Sequence, residues 1–161
     1  MVSLRSILLE RSEYFFEILK YDKSEWLDFW KEYRTRKFPV VIPLYEKAHG
    51  LTNDEKLKSV LNDLSRPFLD KLHQRIKNEF RELKEKTVKE ISKKGKELEL
   101  SKEKFHMMII GLLGLKPYTL IKTPLKGTVV LLDPIGIEKE VGLDNFIDIS
   151  IEAAFKAKNF S

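Results

Sequence analysis

The chain contains no cysteine. Disulfides, thiolate nucleophiles and zinc–thiolate sites are therefore excluded. Glutamine occurs once, at Gln74. Histidine occurs three times, at His49, His73 and His106, in separate segments. No second histidine or carboxylate stands at the spacing of a known metal motif. His73 has Asp70 at i−3, which reads as an ion pair, so neither a metal nor another cofactor is expected. The nucleophile elbow G-x-S-x-G is missing. Gly111-Leu112-Leu113-Gly114 is neither a dinucleotide fingerprint nor a P-loop. No apolar run reaches the ~18 residues that span a bilayer. The opening MVSLRSILLERSEYFF is too acidic and too interrupted for a signal peptide, so a cytoplasmic location without membrane association is expected.

What remains is ample material for a core. The 161 residues are 42% hydrophobic and 11% aromatic, enough for one domain over 1–161 without a staple. Charged residues make up 34% against a usual ~25%, with Lys and Glu in the majority. That balance, with few amides and no thiol, is the composition of heat-adapted proteins. The net charge is +5 and the pI near 9.2. The excess is thin and interleaved with acid along the whole chain, unlike a clustered nucleic-acid footprint.

Periodicity predicts a helical part over 1–96, then strands and a final helix over 97–161. Leu4, Ile7, Leu8, Phe15, Ile18 and Leu19 predict a helix from Ser3 to Leu19. Asp22 and Glu25 form a capping-box pattern before Trp26, Phe29, Trp30 and Tyr33, an aromatic stripe that reads as core. Phe38 to Pro43 reads as extended, because each proline biases its predecessor out of the helical region. Thr52 and Glu55 form a second box. Ser65-Arg66-Pro67 opens the longest helix, and Gly95 is expected to close it. Its apolar positions from Leu69 to Ile91 average about 3.67 residues per turn, against a coiled-coil seam. Its length, roughly 40 Å, exceeds what one domain covers, so its last turns are expected to protrude. Phe105 to Ile137 is almost free of acid and reads as the sheet. Phe105–Leu113 fits a strand better than a buried helix, Tyr118–Ile121 is a strand, and Thr128–Leu132 follows after a turn at Pro124–Gly127. Asp133-Pro134 closes that hairpin, Glu138 and Glu140 read as loop charges, and Asp144 or Asn145 caps the last helix. The fold class is α+β: a mainly helical N-terminal two-thirds on a small, at least partly antiparallel sheet, then a C-terminal helix.

Two sets of residues are candidates for binding. Lys84, Lys86, Lys89, Lys93, Lys94 and Lys96 crowd the end of the long helix and suit an anionic partner. No arginine lies in that run and no aromatic between Lys84 and Lys104, which disfavours specific nucleic-acid readout. Tyr118, Asp133 and Glu152 could line a small cleft. Asp133 is the best single acid, although a turn former beside proline is the plainer reading. No catalytic residue is assigned.

The last helix reads Ile151-Glu152-Ala153-Ala154-Phe155 and follows the strand GTVVLLDP. This arrangement resembles the zincin-type metalloproteases, in which an edge strand precedes a helix carrying H-E-x-x-H. In them two histidines bind zinc and the glutamate is the general base. Here Ile151 and Phe155 stand where the histidines would be, and only Glu152 matches. The resemblance implies an inactive or truncated relative over about residues 105–160. The favoured expectation is a non-catalytic interaction or scaffold protein that self-associates. A nucleic-acid-associated protein is the first alternative. An enzyme whose groups meet only in space is another.

Overall fold

The computed structural model describes residues 8–97, 105–124, 127–158 and 160. Strand β1 is Leu8–Arg11, followed by a 3₁₀ helix over Ser12–Lys20 and a short 3₁₀ turn over Lys23–Glu25. Four α-helices come next: α1 Trp26–Lys37, α2 Val41–Ala48, α3 Asp54–Asn62 and α4 Arg66–Glu97. Then come β2 Phe105–Ile110, β3 Tyr118–Thr123, β4 Gly127–Leu132, α5 Pro134–Glu140 and α6 Phe146–Lys158. The fold is α+β.

The four-stranded sheet has the order β1-β2-β4-β3. β1 pairs parallel with β2, β2 parallel with β4, and β3 antiparallel with β4. The expected hairpin is therefore present, with Tyr118 opposite Leu132 and Thr123 opposite Gly127. Helices cover both faces. α6 packs against β2, β3 and β4, α2 against β3, and the 3₁₀ helix against β2. β4 is correspondingly buried from Thr128 to Leu132, as a strand covered on both faces must be.

Several expectations need correction. The predicted first helix is β1 followed by a 3₁₀ helix, and Leu4 and Ile7 lie outside the described residues. Apolar residues three and four apart fit a helix, but β1 is fixed by β2, about a hundred positions away in sequence. Phe38–Pro43 is not extended: Pro39 and Val40 form a turn, α2 begins at Val41, and Pro43 sits in its first turn, where the missing N–H costs nothing. Asp22 makes no side-chain cap, and Asn53 rather than Thr52 caps α3 by accepting from Lys56 N at 2.9 Å. α4 runs through Gly95 to Glu97. Thr87 and Ile91 are buried, so α4 is covered much further along than its length suggested, with α6 packed against it. Asp133 does not simply close a hairpin. It caps α5, which the sequence reading took as loop, with Pro134 at the first helical position. Glu138 in α5 is paired with Arg75 at 3.1 Å.

The aromatic stripe of α1 faces inward. Trp26, Trp30 and Tyr33 are buried and Phe29 packs beside them. Phe15 holds this cluster to the sheet, with ring centroids 5.7 Å from Tyr33 and 6.2 Å from Trp30. The close approach depends on Gly111, where an added Cβ would stand 2.4 Å from Phe15 Cβ.

Candidate functional site

Parallel strands β1, β2 and β4 end together. From that end spring the 3₁₀ helix, the 111–117 loop and α5. Asp133 is the polar centre of this end and is only 1% exposed. Its Oδ1 accepts from Leu112 N at 3.1 Å and Ile135 N at 3.0 Å, and its Oδ2 from Gly114 N at 2.8 Å. Burial pushes its carboxyl up to about 7, while the backbone N–H groups of Gly114, Leu112, Ile135 and Gly136 oppose the rise. Burial also raises the Tyr33 and Tyr45 hydroxyls, and the Asp133 charge adds to both. With its oxygens committed to backbone donors, Asp133 acts as a staple between the loop and α5.

The other two members of the proposed small cleft lie elsewhere. Tyr118 and Glu152 approach each other through Lys156 of α6. The ammonium lies 5.7 Å from the Tyr118 ring centre, and its pKa is raised first by a hydrogen bond to that side chain. Asp133 does not join them. Its backbone N–H bonds Pro117 O, but its side chain is turned into the 112–114 loop. At the positions of the missing histidines, Ile151 is half-buried and Phe155 is 46% exposed. Among the described residues no group of three or more His, Asp or Glu is placed to hold a metal. His49 Nε2 lies 2.9 Å from Thr119 Oγ1 and fastens the end of α2 to the edge strand β3.

The lysines of α4 divide. Lys86 is paired with Glu82 at 3.3 Å. Lys89 borders a shallow depression of about 410 Å³ with Arg81, Lys84 and Val88. Lys93 and Lys94 are exposed further along, and the Lys96 side chain lies outside what is described. Lys84 also lines a larger cleft.

That cleft, about 670 Å³, lies between the 3₁₀ helix and α4. Phe16, Ile76 and Phe80 form its apolar floor, and all three are buried. Lys77, Arg81 and Lys84 form one wall. Their steps of four and three residues keep them on one face of α4. Glu13 and Glu17 stand on the opposite wall, where Lys20 pairs with Glu17 at 3.7 Å. His73 also lines the cleft. Its ring lies parallel to Phe16, 4.7 Å between centroids and 6° between planes. Partial burial lowers its pKa, the Lys77 charge lowers it further, and Asp70 and Glu13 pull the other way. The balance favours the neutral imidazole.

The cations of this wall are differently engaged from their neighbour Arg75. Arg75 is tied to Glu79, Glu138 and Asp144 and serves to fasten α4 to α5 and the turn after it. Among the described residues Lys77 and Lys84 have no ion-pair partner. Arg81 reaches only Glu85, at 3.8 Å, with its side chain 96% exposed. Sequence reading found Lys84 but missed Lys77 and Arg81. Their spacing was a usable signal, since 77, 81 and 84 share a helical face. The facing wall was not found, because Ser3 to Leu19 read as one α-helix and nothing local showed that it packs against α4.

Comparison of the chain with protein-family models, characterised proteins and solved structures finds no match.

Proposed function

We propose that this chain is a non-catalytic binding protein whose ligand carries a compact anionic group, held in the cleft between the 3₁₀ helix and α4. One observation carries the reading: Lys77, Arg81 and Lys84 line one wall of a 670 Å³ cleft, and among the described residues neither lysine is held in an ion pair. Clefts of about 300–1,000 Å³ are the size that encloses small molecules. Arginine offers a planar fork of donors and lysine a mobile point charge, a combination suited to phosphate or carboxylate oxygens. A long nucleic-acid strand fits less well. The facing wall holds Glu13 and Glu17, which would repel a polyanion running along the groove.

Calorimetric titration with inorganic tripolyphosphate tests this. Binding is expected at low salt and should weaken steeply as salt is raised, because exposed charges are screened. The double variant Lys77→Glu with Lys84→Glu should abolish it, while Lys93→Glu, beyond the cleft on the same helix, should leave it unchanged. No heat at low salt, or equal loss in both variants, contradicts the reading.

A further inference from the structure

The cleft has two unlike walls, and one anionic group uses only one of them. The α4 wall is cationic over Lys77, Arg81 and Lys84, whereas the 3₁₀ wall presents the carboxylates Glu13 and Glu17, with Lys20 beside Glu17 at 3.7 Å. A simple phosphate or dicarboxylate would gain from the first and be repelled by the second. A ligand that suits both must carry anionic oxygens at one end and hydrogen-bond donors at the other. α4 also brings a flat ring to the cleft: His73 is partly exposed, with one face against Phe16 at 4.7 Å. From His73 to Lys84 the helix rises about 16 Å, the scale of an extended nucleoside triphosphate.

Resting on the anion-binding reading above, we infer that the ligand of this cleft is a nucleoside phosphate. Its base stacks on the open face of His73, its hydroxyl or amino donors meet Glu13 and Glu17, and its phosphates lie along Lys77, Arg81 and Lys84. Stacking on a ring is sequence-tolerant, since every base has a π face. Hydrogen bonds from neutral hydroxyls to carboxylates are charge-assisted and orient the sugar. A neutral imidazole, favoured by the burial of His73 and the Lys77 charge, stacks without adding charge. The position agrees with the general tendency of sheets containing parallel strands to bind ligands beyond the carboxyl ends of those strands. The 3₁₀ helix that carries Glu13 and Glu17 follows directly on β1.

The experiment compares ATP, GTP, CTP and UTP with inorganic tripolyphosphate on the full chain and three variants. At least one nucleotide is expected to bind about tenfold or more tightly than tripolyphosphate. The variant Glu13→Gln with Glu17→Gln should move the two probes in opposite directions. Nucleotide binding should weaken as the charged acceptors are lost, and tripolyphosphate binding should strengthen as the repulsion is lost. Both residues are exposed, so the fold is expected to persist, which circular dichroism checks. His73→Ala should cost the nucleotide about tenfold and tripolyphosphate nothing, and His73→Phe should restore the nucleotide. Equal affinity for nucleotides and tripolyphosphate overturns the nucleoside assignment and leaves the anion site standing. Tighter binding of a short oligoribonucleotide than of any mononucleotide overturns it in favour of a strand. Binding of neither nucleotide nor tripolyphosphate removes both readings.

Discussion

Asp133 shows how much can rest on one side chain. Its two oxygens satisfy N–H groups from the loop after β2 and from the first turn of α5, and all of this is out of water. Asp133→Asn keeps the volume but turns an NH₂ toward a backbone N–H, setting donor against donor. The expected cost is about 3 kcal/mol, read as a lower urea midpoint. The same residue gives a pH dependence. Its folded pKa is raised to about 7 from an ordinary 3.8. Its contribution is fully present below the ordinary carboxylate range and is lost as pH rises through about 7. Stability should decline over that window in the parent and lose this component in the variant. A parent slope identical to that of Asp133→Asn contradicts it. Asp133 was legible in the sequence as a Pro-adjacent turn former, and that is half its role. The three backbone donors it gathers from 112, 114 and 135 were not, because which loop folds over a side chain is a tertiary fact. Trp26 and Trp30 were legible fully, since large rings at helical spacing have nowhere to go but the core.

At the scale of elements, two glycines make opposite predictions. Gly136 in α5 lies so close to the 111–117 loop that an added Cβ would stand 2.0 Å from Lys116 O. Backbone cannot yield cheaply there, so Gly136→Ala should destabilise by about 3 kcal/mol, measured by denaturant unfolding. Gly95 lies inside α4 rather than at its end. Gly95→Ala should therefore stabilise the last turns by up to about 1 kcal/mol, seen as slower amide exchange at those residues. Faster exchange would indicate that the helix stops at Gly95 after all. The elements that sequence reading found are those whose signal is local: the stripe of α1, the long period of α4 and the β3–β4 hairpin. β1 and α5 were missed for physical reasons. β1 is short and owes its conformation to a parallel neighbour distant in sequence. α5 spans seven residues, opens with proline and contains glycine, so its local preference is weak and Asp133 and packing must supply the rest.

At the scale of the whole molecule, the apolar segment from Phe105 to Ile137 forms most of the sheet, and charged helices cover it on both faces. That arrangement follows from composition. The cleft does not, since its walls come from opposite sides of residues 21–72 in the chain and meet only because the 3₁₀ helix and α4 pack together. Basic residues on α4 could be read from the sequence, but the acid facing them could not. The most direct measurement is a titration of isotopically labelled protein with ATP and with tripolyphosphate, followed through the backbone amides. The account predicts shifts concentrated in residues 77–84 with both probes, and additional shifts at Glu13, Glu17 and His73 with ATP alone. Shifts centred on the Tyr118–Lys156 face, or none at saturating probe, would contradict it.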